Sequence, residues 1–279
     1  MKVFICTDDE QLISAKVSRS FLLKNSSLSK NDINIINEKD FSELDLIKDN
    51  YYLRKGNREY LKHNDLQRFT FLRFVVPSLM NYQGRALVID PDIFLVRRGI
   101  DELDKLLLDN HILCRKGIKK GTYATSLMYL DCSKFKSWSL EKIIKDLVSG
   151  ACDYDDLINL RNNKFKVGLI ESYWNDFDNL SKNTIFLHTT QKVTQPWRKG
   201  LPLNSYIPPI LGFIKRDFIY KMLNKPLNIG VDHPNRKIND LFLSQLRSCV
   251  IENSISRSEL EIAVSNGYIR KDIFQKIRI

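Results

Sequence analysis

Two short apolar runs, residues 86–89 (ALVI) and 93–96 (IFLV), stand on either side of Asp90-Pro91-Asp92. Unbroken apolar runs of this length fit strands buried on both faces, the kind found in sheets covered by helices. The chain must therefore also supply covering helices, and its patterning does so in alternation. "KVFICT" at residues 2–7 reads as a first strand. Leu12, Ile13, Val17, Phe21 and Leu22 follow at helical spacing, with Asp8 or Asp9 as the N-cap. A strand followed at once by a helix opens an α/β unit.

The same grammar continues downstream. "LQRFTFLRFVVPSLMNYQGR" reads as a helix kinked or restarted at Pro77 and ended by Gly84. "IDELDKLLL" is a short amphipathic helix, and "HILCR" and "TSLMYLDC" are strands. Ser139 caps a helix carrying Leu140, Ile143, Ile144, Leu147 and Val148. "YDDLINL" is a short helix, "KVGLI" and "TIFLH" are strands, and 195–209 is a Pro-rich passage. Residues 25–60 are polar and mix a strand with long loops. Helices fill the last fifth, where Ser258 with Glu261 fits a capping box and Gly267 an end. The expected organisation is one α/β domain over 1–200 and a helical extension over 201–279 packed on it.

Three readings compete for Asp90 and Asp92. Asp and Pro favour turns, so the triplet is a polar bend between strands in the plainest reading. In an open α/β sheet, however, ligands bind beyond the carboxyl ends of the strands. Two acids placed there repel each other unless a cation or a base neutralises them. A hard divalent cation held by both, and by a diphosphate, would do so. The third reading, a general acid and base pair, does not require the i, i+2 spacing and ranks lower.

The stretch "RFVVPSLMNYQGRALVIDPDIFLV" resembles the core of nucleotide-sugar-dependent glycosyltransferases of the GT-A fold, family 8 above all. The resemblance implies a Rossmann-like, mixed but mostly parallel central sheet flanked by helices. It also implies manganese, or magnesium, held by Asp90, Asp92 and His188, the histidine coming from "IFLHTTQKVTQPW". Asp90 would contact the donor as well. Thr7 and Asp8 in "VFICTDD" match the end of the family's opening strand, which meets the nucleotide. Arg73 matches a basic residue that steadies the acid pair and donor. Thr125 and Ser126 in "ATSLMYLDC" match the strand lining the sugar pocket. Asp155 or Asp156 matches a polar residue near the transferred sugar, and "YWNDFDNL" resembles a recurrent Trp-Asn element. Gln195 stands where the family has lysine before Pro-Trp, so Lys192 or Arg198 would supply the phosphate contact.

What the resemblance implies as function is transfer of a sugar, with retention, from a nucleoside-diphosphate donor, most often a UDP-sugar, to a saccharide or lipid-linked acceptor. Bulk properties set the rivals. A formal net charge of +11 suits phosphorylated ligands, an anionic membrane surface or nucleic acid. The positive charge is dispersed, however, and no basic face with aromatic platforms is evident, so no nucleic acid is expected. A nucleotidyltransferase would need a glycine-rich loop that "VFICTDDEQLISAK" lacks. A glycosyltransferase fold without activity is the third rival. No apolar run approaches the ~20 residues of a membrane span, and Asp8 and Asp9 interrupt any leader-like core. The expected setting is cytoplasmic, with peripheral association at the inner face of the membrane as its extension. Five scattered cysteines fit reduced thiols.

Overall fold

In the computed structural model of the chain, which describes residues 1–48, 50–60, 68–161, 164–203 and 229–279, the apolar runs are strands. The pleat of each strand sorts its side chains alternately onto two faces. The first of two units, Met1–His188, contains in order β1 (Lys2–Thr7), α1 (Leu12–Asn25), β2 (Ile33–Asn37), β3 (Tyr51–Arg54), β4 (Asn57–Tyr60), α2 (Val76–Leu79), β5 (Arg85–Ile89) and β6 (Ile93–Leu95). It continues with α3 (Glu102–Leu107), β7 (Ile112–Lys116), β8 (Tyr123–Asp131), α4 (Leu140–Ser149), α5 (Tyr154–Ile158), β9 (Val167–Ile170), β10 (Asp176–Phe177) and β11 (Phe186–His188). The second unit, Thr189–Ile279, carries α6 (Arg236–Ile251), α7 (Arg257–Ser265) and α8 (Ile273–Ile277).

A six-stranded sheet in the order β2-β1-β5-β8-β7-β9 organises the first unit. β8 is antiparallel to both neighbours and every other adjacent pair is parallel. One face packs Phe4, Cys6, Ala86, Val88, Cys114 and Met128 against Phe71, Phe74, Trp138 and Ile144. The opposite face packs Val3, Ile5, Leu87, Ile89, Leu113 and Leu127 against Ala15, Leu22, Trp174 and Phe186. Residues 86–89 are 0% exposed. Each such Val, Leu or Ile contributes about 1.5–3 kcal/mol by leaving water. A smaller sheet, β10-β11-β6, stands beside the first.

The region expected as loops and a strand, 25–60, holds β2 and the antiparallel β3–β4 hairpin. The helix expected over 66–84 is instead a 3-10 segment, Arg68–Phe74, followed by the short α2; its first residues lie outside the described ones. Every residue of the 3-10 segment is buried, so the segment has no wet face of the kind a surface helix keeps. Pro77 sits in the first turn of α2, where its missing N–H costs nothing.

In the second unit the capping box is Ser256 with Glu259, not Ser258 with Glu261. Ser256 Oγ accepts from the Glu259 N–H at 3.2 Å, and Glu259 Oε2 accepts from the Ser256 N–H at 2.8 Å. Both frames fit the sequence pattern. Hydrophobic stapling separates them: Ile255 and Leu260, on either side of the chosen box, are each 0% exposed, whereas Ile262 of the other frame is 59% exposed. All five cysteines are free thiols. Among the described residues no helix is long and apolar enough to cross a membrane.

Arg270 anchors the second unit. Its side chain is 0% exposed, and it donates to the Pro196 carbonyl at 3.2 Å, to Asp232 at 3.0 Å, and to Asp272 at 2.5 and 2.8 Å. These hydrogen bonds hold the Asp272 carboxyl below the usual range. Such a carboxylate stabilises the fold above its unfolded pKa of about 4, and the contribution is lost as pH falls through the lowered folded value. Arg270→Met is expected to destabilise the unit by about 2–3 kcal/mol, the scale of a lost charged hydrogen-bond set. Urea midpoints at neutral pH and near pH 3 check this: the loss should shrink in acid, and an equal loss at both would refute the linkage.

Candidate functional site

The site lies at the carboxyl end of β5. Asp90 continues the ladder one step beyond that strand, its N–H donating to the Ser126 carbonyl at 3.0 Å. From there the chain runs through Pro91 and Asp92 into β6, and α1 fixes it from one side. Ser14 Oγ donates to the Pro91 carbonyl at 2.8 Å, Ser18 Oγ to that of Ile93 at 2.5 Å, and Asn25 Nδ2 to that of Leu95 at 2.7 Å. Residues four and eleven positions apart share a helix face, and alternate carbonyls of an extended chain share a side, so the two spacings match.

β6 pairs antiparallel with β11 and sets His188 opposite Ile93. That register carries the imidazole to the carboxylates. Single ligand atoms of Asp90, Asp92 and His188 all lie within 4.8 Å of one another, and all three residues are buried. His188 Nε2 is 3.4 Å from Asp92 Oδ1.

Arg73, also buried, grips Asp90 from the 3-10 segment. Nε and Nη2 reach Oδ1 at 3.1 and 2.7 Å, and Nη2 reaches Oδ2 at 2.5 Å. Nη1 donates to Thr125 Oγ1 at 2.8 Å, and that hydroxyl donates to the Ile158 carbonyl at 2.5 Å. Burial pushes the Asp90 carboxyl up from its usual range, the Arg73 guanidinium opposes the rise, and the Asp92 charge adds to it. A buried guanidinium and carboxylate persist because each is the other's partner.

Asn175 sets the state of His188. Its Nδ2 donates to Ser126 Oγ at 3.0 Å, which turns Oδ1 toward His188 Nδ1 at 3.0 Å. A carbonyl oxygen only accepts, so Nδ1 carries a hydrogen, and in the neutral ring Nε2 then presents its lone pair toward Asp92. The ring is further held edge-on to Phe177 at 5.3 Å. Arg115 lies over Phe177 at 4.0 Å and donates to the Asn175 carbonyl at 2.5 Å.

The arrangement fits a cation on its own terms. His188 Nε2 lies 3.4 Å from a carboxylate oxygen of Asp92, and with the ring neutral in its Nδ1–H form these two acceptors would face a shared positive centre. Two carboxylates and one imidazole form a donor set that manganese or magnesium accepts.

The remaining expected residues are distributed as follows. Thr7 and Asp8 end β1, parallel to β5 and at the same edge of the sheet. Thr7 Oγ1 donates to the Asp8 carbonyl, and the Asp8 carboxylate accepts from Gln11 N at 2.8 Å and Nε2 at 3.3 Å, just ahead of α1. Asp155 and Asp156 lie on α5, outside the converging group; Asp155 pairs with Arg54 at 3.4 Å and Asp156 with Arg161 at 3.3 Å. Lys192 opens a 3-10 turn of the second unit, Lys192–Thr194. Sequence reasoning did not single out Ser14, Ser18 or Arg115. Two serines four apart among buried Ile13, Val17 and Phe21 were the available signal, since a buried hydroxyl needs a partner.

No family model matches the sequence, and no curated protein sequence matches it. Solved structures do. The apo bifunctional glycosyltransferase WbbM aligns with a TM-score of 0.53 at 12% identity, over 94% of this chain and 51% of that one. The apo form of the glycosyltransferase GlyE of Streptococcus pneumoniae TIGR4 aligns with a TM-score of 0.52 at 14% identity, over 97% and 65%. The galactosyltransferase LgtC, solved with donor and acceptor sugar analogs, gives 0.48 at 14% identity, over 71% and 89%. The chain thus spans about half the length of WbbM. At these identities the likeness is one of fold: the central sheet is arranged as in GT-A glycosyltransferases.

Asn175→Ala should release His188 Nδ1. Long-range proton–nitrogen correlation spectra at a pH where the ring is neutral are expected to show the Nδ1–H form in the parent and a shift toward Nε2–H in the variant. An unchanged tautomer would overturn the assignment.

Proposed function

We propose that the chain is a metal-dependent glycosyltransferase that moves a sugar from a nucleoside-diphosphate donor, a UDP-sugar by its resemblance to family 8, to a glycan or lipid-linked acceptor with retention. The observation that carries this reading is the convergence of Asp90, Asp92 and His188 beside Arg73 at the carboxyl edge of a GT-A sheet. In an open α/β sheet that edge is where ligands bind.

Charge supports it. Two carboxylates in one cluster are a poor neighbour for a diphosphate unless cations accompany them. A divalent cation would supply that positive charge. Asp90, Asp92 and His188 Nε2 would hold manganese or magnesium, which as a Lewis acid stabilises a departing diphosphate.

The chain's own residues do the rest. Arg73 supplies fixed positive charge where negative charge grows, and its bond to Thr125 keeps the guanidinium from swinging away. Ser126 and Asn175 keep Nε2, and not Nδ1, available to the site. Thr7 and Asp8 flank the nucleotide, Thr125 and Ser126 line the sugar pocket, and Asp155 or Asp156 lies toward the transferred sugar. Burial of the cluster strengthens each of these interactions relative to water.

Thermal unfolding with a panel of UDP-sugars, with and without manganese, tests the reading. Saturation at a hundredfold excess over Kd stabilises the native state by about 2.7 kcal/mol, so a metal-dependent rise in midpoint is expected for at least one donor. Asp92→Ala and His188→Ala should fold cooperatively and lose that rise. Retention of it by both would show the metal site to be misassigned.

A further inference from the structure

A second cluster of charge lies wholly within the second unit. α6 and α8 border a cavity of about 650 Å³ whose lining includes Arg236, Ser244, Arg247, Lys276 and Arg278. That volume falls within the range of small-molecule sites, about 300–1,000 Å³. Along α6, positions 236, 240, 244 and 247 recur at helical spacing and share one face. Ile238, Phe242, Leu246 and Cys249 of the same helix are buried, so α6 is divided into a core stripe and a polar stripe facing the cavity.

The acids of the lining have partners. Asp240 faces Arg236 at 3.7 Å, and Asp232 pairs with Lys199 and with Arg270 at 3.0 Å. Arg270 is further neutralised by Asp272. Among the described residues no ion pair engages Arg247, Lys276 or Arg278. Lys276 feels the Asp272 carboxylate without bonding to it; three cations that share one concavity and no salt bridge raise one another's energy, and an anion entering between them relieves the repulsion. Arg offers forked donors that match phosphoryl oxygens, Lys a point charge, and Ser244 a neutral donor.

We infer that this cavity is a binding site for a phosphate ester, independent of the Asp90 cluster and of any divalent metal. Its volume leaves room beside a phosphoryl group for an organic part of the ligand. Two sources share that chemistry: a soluble organic phosphate, and the phosphodiester headgroup of an anionic lipid.

The test uses the full chain in EDTA, which removes metal-dependent binding at the other site. Titration calorimetry with glycerol 3-phosphate and flotation with phosphatidylcholine vesicles, with and without phosphatidylglycerol, probe the two sources. Three double variants are compared: R247Q/K276Q in the cavity, K119Q/K120Q, which removes the same charge from an exposed turn of the first unit, and Asp92→Ala with His188→Ala. The parent is expected to bind at least one probe in a salt-sensitive manner. R247Q/K276Q should weaken that binding at least tenfold, and the other two should match the parent. Binding of glycerol 3-phosphate assigns the soluble source; binding of phosphatidylglycerol vesicles alone assigns the lipid. Equal losses in R247Q/K276Q and K119Q/K120Q, or no binding of either probe by the parent, would overturn the inference.

Discussion

Everything at the functional edge of the first unit depends on keeping two carboxylates inside a protein. Asp90 and Asp92 sit between apolar strands at 7% and 9% exposure, where unpaired negative charge is costly. The fold offers Arg73 as a neutralising partner and commits it to Asp90 through both carboxylate oxygens. Asp92, the second acid, has the imidazole of His188 at 3.4 Å.

Delivery of those groups is a matter of register. Asp90 comes from the end of a parallel strand, Ser126 and Thr125 from the antiparallel β8 beside it, and His188 from β11 opposite β6. Reversal of β8 brings its beginning, not its end, to the edge where β1 and β5 finish. Residues 98 positions apart in sequence, Asp90 and His188, thereby become neighbours. A slip of one residue in the β6–β11 pairing would turn the imidazole to the opposite face.

Much of this was legible in the residues themselves. Unbroken apolar runs gave the buried strands, and period-3.6 patterns gave α1, α3 and α4, with Ser139 capping α4 as expected. The acid pair and the histidine stood out because polar groups ended apolar strands. Other features were not legible, for physical reasons. The 68–74 segment is buried on all sides, Arg68, Thr70 and Arg73 included, so no wet face marked its period and a 3-10 turn could not be told from an α-helix. Two capping frames overlapped at 256–261, and only burial of Ile255 and Leu260 chose between them. Asn175 was noticed beside Trp174, but its hold on His188 depends on a contact across 13 positions that no local pattern encodes.

The three hydrogen bonds from α1 to the carbonyls of Pro91, Ile93 and Leu95 bear on how the edge responds to whatever it meets. A connection between two strands is ordinarily the softest part of a sheet, and ordering it on contact subtracts from affinity. Here that subtraction has already been made during folding, by hydroxyls and an amide of α1. Selectivity at this edge therefore rests on a rigid template, and tuning it without disturbing the acids would mean editing the face of α1.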